Sequence, residues 1–325
     1  MWNWLGKINR HLVVAIPLMM VLGFVYGLAF EVSFLKSLII PFTFLMVYPM
    51  MVTLRIRKVL EGGDTKAQVL TQAINFGVAP FVAFALGQVF FRDQPYMALG
   101  LLLAGLVPTS GMTISWTGFA RGNVEAAVKM TVIGLTLGSI ATPFYVKFLL
   151  GAQIEVDMMA VLRQIVFIVF LPMAAGYATQ QALIKRYGMK AFQERIGPRF
   201  PALSTIGVLG IVFVAIALKA GAVAGDPKLL LTILLPLGII YAANYVLSTF
   251  VGKVFLQRDN AIALVYGSVM RNLSIALAIA INAFGPQGAG AALVIAVAYI
   301  IQVQSAAWYV RWTDRIYGTA AVTVA

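Results

Sequence analysis

The sequence predicts an all-α integral membrane protein: ten transmembrane helices in two inverted five-helix repeats. Three observations predict it. First, 61% of the 325 residues are hydrophobic and 11% charged, with a mean hydropathy of +0.93. Most of the chain reads as runs of roughly 20 apolar residues, the length that crosses a hydrocarbon core. Second, the basic residues gather in alternate connectors between those runs. Third, the two halves repeat one another weakly but in order.

The spans are expected near 11–30, 35–54, 67–91, 96–120, 123–149, 158–180, 203–222, 229–252, 260–284 and 288–310. Met1 to Arg10 reads as a short amphipathic cytoplasmic start with Trp2 and Trp4 as interfacial anchors, not as a cleaved signal. The formal charge of +13 could suggest nucleic acid, but its placement points to a bilayer. Sixteen lysines and arginines fall in the termini and even connectors, against Arg92 and Lys228 in the odd ones. Positive residues stay inside, so both termini are expected in the cytoplasm of a plasma (inner) membrane. No strand-like alternation suggests an outer-membrane barrel.

Ile16-Pro17 in span 1 recurs as Leu171-Pro172 in span 6. Ala73-Ile74-Asn75-Phe76 in span 3 recurs as Ala242-Ala243-Asn244-Tyr245 in span 8. The larger offset of the second pair matches a basic cytoplasmic loop, 181–202, that the first half lacks. The chain then divides into 1–180 (the first repeat, spans 1–5, plus span 6), the loop, and 203–325 (spans 7–10). Five spans per repeat is odd, so the second copy inserts upside down, an arrangement characteristic of secondary transporters.

Two spans are interrupted. Span 4 carries Gly105, Pro108 and Gly111 among Thr109, Ser110, Thr113, Ser115 and Thr117; span 9 carries Gly267-Ser268-Val269-Met270-Arg271-Asn272. A matched pair of broken helices marks a solute or ion site, although small residues also serve close packing. Arg271 lies twelve residues after Asp259, roughly 18 Å along a helix and so near the midplane. All eleven acidic residues fall in connectors or at span ends. Arg271 would therefore rest on backbone carbonyls, on amides such as Asn75, Asn244 or Asn272, on water, or on an anionic substrate. Glu125 and Lys129 form an i,i+4 pair read as local, and Lys36, Lys147, Arg163 and Lys219 are read as snorkelling. Gln302, Gln304 and Ser305 fit either a path or helix–helix hydrogen bonds.

The chain has no cysteine and one histidine, His11, at the start of span 1. Disulfides and thiolate chemistry are excluded, and a lone interfacial histidine is read as structural. An intramembrane enzyme would need paired aspartates, a Ser–His arrangement or a His/Glu metal set within the spans. None is present in the sequence, so neither an enzyme nor a cofactor is expected.

The segment from Gly105 to Val124, ending Phe119-Ala120-Arg121-Gly122-Asn123-Val124, resembles the fourth helix of the bile acid:sodium symporter superfamily. There a Pro-Gly-Gly or similar break precedes a Leu-Ala-Arg-Gly-Asn motif. Met270-Arg271-Asn272 followed by Ala276-Leu277-Ala278 resembles the ninth helix, and Asn282-Ala283-Phe284-Gly285 is closer to the superfamily's arsenite-efflux permeases. The resemblance implies a panel domain (spans 1, 2, 6 and 7), a core domain (spans 3–5 and 8–10), crossed broken spans 4 and 9, and alternating access.

The resemblance also implies two sodium sites. The first would fall on Thr113, Ile114, Ala127, Thr131 and Gly267, and the second on Asn75, Gly267, Ser268, Met270 and Arg271. The glutamate they share is Gly267 here, and Arg271 stands at a ligand position. A guanidinium repels sodium strongly in a low-dielectric site, so Arg271 is expected to replace the second sodium as a fixed charge. Sodium coupling then competes with proton coupling, uniport or exchange.

The expected function is transport of a small organic anion. Arg271, Asn272, Thr109, Ser110, Thr113, Asn75, Asn244 and Ser268 are the candidate substrate ligands; Thr113, Thr131, Asn75, Ser268 and Met270 are residual ion ligands. The alternative is metalloid efflux by a relative without the usual helix-4 cysteine, whose helix-9 glutamate is matched by Ser274.

Overall fold

A computed structural model describes residues 12–54, 64–225 and 228–319. Trp2, Trp4, Lys7, Arg10, His11, Arg55, Arg57 and Lys58 lie outside the described residues. The first elements are α1 (Leu12–Ala29), a 3-10 segment Ser33–Leu38 leading into α2 (Ile39–Val52), α3 (Thr65–Gly77) and α4 (Ala79–Phe90). They are followed by α5 (Pro95–Leu106), α6 (Gly111–Phe119), α7 (Val124–Leu150), α8 (Met158–Ile165) and, after a π-helical turn, α9 (Leu171–Tyr187). The chain continues through α10 (Met189–Ala191), α11 (Phe200–Ala217), α12 (Ala220–Gly225), α13 (Lys228–Phe255), α14 (Arg258–Val269), α15 (Leu273–Phe284) and α16 (Ala289–Tyr317).

Among the described residues, seven helical runs are long and apolar enough to cross a membrane, and shorter apolar helices cover Val14–Ala29, Pro95–Leu106 and Leu273–Phe284. Large apolar side chains such as Leu18, Phe44, Phe148, Phe167, Leu231 and Phe250 point outward. An apolar exterior on this scale suits lipid, not water. Among the described residues there is no strand; the nearest approach is one isolated antiparallel bridge between Pro108 and Arg271.

The helix ends follow local chemistry. Ser110, Asn123, Asp157 and Asn272 each accept a backbone N–H in the first turn of α6, α7, α8 and α15, as short oxygen-bearing side chains do at an N-cap. The π turn Val166–Phe170 precedes Pro172. Proline has no N–H for the preceding turn, and the helix absorbs the gap by widening.

One expectation is corrected here. Residues 181–202, read as a basic loop, are helical except at Gly188, whose φ of 83° reverses the chain between α9 and α10. Basic residues do not oppose a helix, and of the segment's break signals (Gly188, Gly197, Pro198 and Pro201) only Gly188 interrupts the helical run. Lys129 is likewise more than a local partner of Glu125: its Nζ lies 3.6 Å from Asp64. Asn123 joins the same cluster, donating to Asp64 at 3.1 Å and to Asn260 at 2.8 Å. The Arg-Gly-Asn motif thus ties the starts of α3, α7 and α14 together.

Helices α1, α2, α9 and α11 pack on one another, and α3–α7 with α13–α16 form a second set. The sets meet where α15 touches α2 and α8, and where α16 touches α1 and α11. Among the most enclosed segments are α5, α14 and α15: Ala98 to Leu106, Ala261 to Val269 and Ile275 to Ala280 have almost no exposed surface.

Candidate functional site

The site is built where the two interrupted helices cross. Residues 107–110 separate α5 from α6, and Met270–Asn272 separate α14 from α15. The break strands are held backbone to backbone: Asn272 N donates to Val107 O at 2.9 Å beside the Pro108–Arg271 bridge. A helix end leaves its last carbonyls without partners, and in an apolar interior they must find others. Here they find side chains. Asn75 donates to Gly267 O at 3.0 Å and Asn244 to Ser268 O at 2.9 Å. Gln302 accepts from Arg271 N at 2.8 Å and donates to Arg271 O at 3.1 Å. Tyr241 completes the arrangement by donating to Gln302 at 2.9 Å.

Thr109 adopts a left-handed backbone, φ 56°, an expensive conformation for a β-branched residue. Its hydroxyl bonds Pro108 O at 2.8 Å and Thr131 O at 3.2 Å. Two glycines of α7 make room. A Cβ on Gly138 would sit 2.5 Å from Pro108 Cδ, and one on Gly134 2.7 Å from Thr109 Oγ1.

Beside the crossing, between the two helix sets, lies a cavity of about 350 Å³. Ser110, Gly111 and Met112 at the start of α6, and Ser274 at the start of α15, reach it from the breaks. Met50, Thr53, Ser204, Thr205 and Tyr299 supply other walls. Ser274 and Tyr299 share a 2.6 Å hydrogen bond. Among the described residues, no formally charged side chain lines this cavity. The starts of α6 and α15 nevertheless bring the positive ends of two helix dipoles, each about half a charge, to the cavity wall.

Of the candidate ligands, only Ser110 lines the cavity. Asn75, Asn244, Thr109, Thr113 and Asn272 spend hydrogen bonds on the backbone of the breaks. Thr131 bonds its own helix at Ala127 O, while Ser268 and Met270 are fully buried. Arg271 is 2% exposed and lines a separate void of about 10 Å³ with Ala104, Gly105, Ile240, Tyr241 and Asn244. Its Nη1 and Nη2 have no hydrogen-bond partner among the described residues. The charge thus sits behind the crossing, not in the cavity.

At Gly267, where the resemblance implied a shared ion ligand, the surrounding space is filled. A Cβ on Gly267 would meet Met130 Sδ at 2.7 Å and Thr71 Cγ2 at 3.0 Å. Met130 fills the space an acidic side chain would need. Sequence reasoning missed the walls contributed by Thr53, Ser204, Thr205 and Tyr299. They are isolated hydroxyls in apolar helices, and nothing in their spacing marks the side that faces a cavity.

Comparison with known proteins gives a consistent picture. Residues 40–226 match the model of the sodium bile acid symporter family. The chain is 22% identical over 303 residues to the arsenical-resistance protein Acr3 of Corynebacterium glutamicum, covering 85% of this chain and 82% of that one. It is 25% identical over 306 residues to YocS, an uncharacterized sodium-dependent transporter of Bacillus subtilis, covering 91% and 88%. It is 27% identical over 215 residues to BASS1, a probable chloroplastic sodium/metabolite cotransporter of Arabidopsis thaliana, covering 65% and 51%.

Proposed function

The chain belongs to the sodium bile acid symporter family, a family of membrane transporters and not of enzymes, and from that premise we propose that it moves a small organic anion by alternating access. The observation that carries this reading is the cavity of about 350 Å³ between the helix sets, into which Ser110 and Ser274 bring the starts of two broken helices. Its volume lies in the range that encloses small ligands. Its hydroxyls and helix dipoles favour an anionic head, and its apolar walls favour a carbon body.

The ten-span inverted topology with both termini inside fits this reading. Seven long helical runs and three shorter apolar helices make ten if each broken pair crosses once. Asn75 and Asn244, which stand at matching places in the two halves, cap neighbouring carbonyls of α14. The panel is then α1, α2 and α8–α12, and the core is α3–α7 with α13–α16 and its crossed breaks.

Arg271 serves as the fixed cation that replaces a coupling ion. It acts through space on the anion in the cavity and needs no direct contact with it. Gly267 carries no acid, and Met130 occupies the adjoining space, so transport does not depend on sodium at these positions. A direct test is uptake of carboxylates and sulfonates by proteoliposomes. Ser274→Ala and Tyr299→Phe should each lower uptake tenfold or more without loss of folded protein. Unchanged uptake in both would remove this cavity from the account.

A second reading, cysteine-free arsenic efflux, is favoured by the match to 82% of the arsenical-resistance protein's length. Arsenite resistance conferred on an efflux-deficient cell would establish it over the first.

A further inference from the structure

A second cavity of about 350 Å³ lies along the same four helices as the first, at their other ends. In α2, Ile39 lines the second and Met50 the first. In α11, Ala215 lines the second and Thr205 and Val208 the first. In α15 the residues are Ile281 and Ser274, and in α16 they are Ala292 and Tyr299. Seven residues separate the members of the last two pairs, roughly 10 Å along a helix. Between the cavities, Val47, Val212, Leu277 and Ile295 are all buried.

The second cavity differs in its lining: no hydroxyl is among its described walls, and one wall residue carries a formal charge. Lys219 follows the last turn of α11, with its N–H bonded to Ile216 O at 3.0 Å, and its side chain lines the cavity. It is half-buried and forms no ion pair with any described residue. The other walls are apolar: Ile39, Ala215, Leu218, Ile281, Ala289 and Ala292. A lysine at a helix C-terminus ordinarily turns toward the carbonyls or to a lipid headgroup. Here it lines a half-open cavity whose other walls are largely apolar, where a charge is less screened than in bulk water.

We propose that Lys219 makes this second cavity a separate binding station for an amphipathic organic anion, the carboxylate or sulfonate at the ammonium and the carbon body against the apolar walls. It captures or releases the solute at the membrane face opposite the hydroxyl-lined cavity. The identity of the anion as the transported solute rests on the function proposed above; the anion preference of the cavity does not.

The natural absence of cysteine allows a direct test on the whole chain. Ala289→Cys puts one thiol in the cavity wall, to be titrated with anionic sulfonatoethyl and cationic trimethylammonioethyl methanethiosulfonates. The ratio of their rates is divided by the same ratio for free cysteine. With Lys219 present, the corrected ratio should favour the anion by about tenfold, declining as salt is raised. Lys219→Arg should keep that preference and Lys219→Met should abolish it. An equal ratio with lysine and methionine, or a thiol that neither reagent reaches, overturns the proposal. An anion preference in a protein that transports no organic anion would instead refute the transport reading alone.

Discussion

Replacing Arg271 with methionine separates two roles that a buried charge can play. The guanidinium is 2% exposed, its Nη1 and Nη2 lack partners, and it makes no ion pair with a described residue. The backbone at this position is held independently by both ends of the Gln302 amide. Arg271→Met therefore leaves the crossing intact and removes an uncompensated charge. Insertion scales put an arginine at a helix centre about 2.5–3.5 kcal/mol uphill, so the variant should be at least as stable as the parent. Its cost should appear in binding. Taking an illustrative separation of about 10 Å and an effective dielectric of about 20, the attraction on an anion in the cavity is about 1.7 kcal/mol. That is close to a twentyfold change in affinity. The assay is thermal unfolding in detergent, paired with titration of a transported carboxylate or sulfonate. A loss of more than about 2 kcal/mol of stability, with affinity unchanged, would refute the reasoning: the guanidinium would then be a brace satisfied by the helix breaks.

Two further substitutions test the crossing and the filled ion position. Gly138→Val forces a branched side chain onto Pro108, where even a Cβ comes within 2.5 Å; overpacking of this kind costs about 1–3 kcal/mol, read as a lower melting temperature and reduced uptake. Gly267→Glu alone collides with Met130 and should destabilise the protein. Combined with Met130→Ala, which vacates that space, it should restore stability and make stability rise with sodium. A double variant indifferent to sodium would show that the missing acid is not what separates this chain from an ion-binding one.

The architecture was largely legible in the sequence because a bilayer imposes a length and an apolar composition on whatever crosses it. Pro108 with its flanking glycines, and Arg271 amid apolar residues, marked the two interruptions, and the helices stop at both places. The basic segment 181–202 misled because charge was read as a loop signal, whereas only Gly188 breaks the helix. At the site, residue type was informative and direction was not. Asn75, Asn244 and Gln302 are polar groups in apolar helices, which announces a partner but not which one. The structure turns them to the carbonyls left by the breaks. Arg271 was legible as a costly charge, yet its side of the crossing depends on how α5, α13 and α14 pack. The cavity walls Thr53, Ser204, Thr205 and Tyr299 come from helices far apart in the chain, beyond the reach of local periodicity. Lys219 reads in the sequence as an ordinary residue at a helix end, and only the packing of α2, α15 and α16 sets it at a cavity wall.

The central claim is that this family member binds a small organic anion without sodium at the positions where Gly267 and Arg271 stand. The most direct measurement is the melting temperature of the purified protein across carboxylates, sulfonates and arsenic oxyanions, in sodium and in an inert cation at equal ionic strength. A ligand that binds the native state raises its apparent stability, by about 2.7 kcal/mol at a hundredfold excess over Kd. The account predicts stabilisation by an organic anion that is the same in both salts. Stabilisation that appears only with sodium, or only with an arsenic oxyanion, would contradict it.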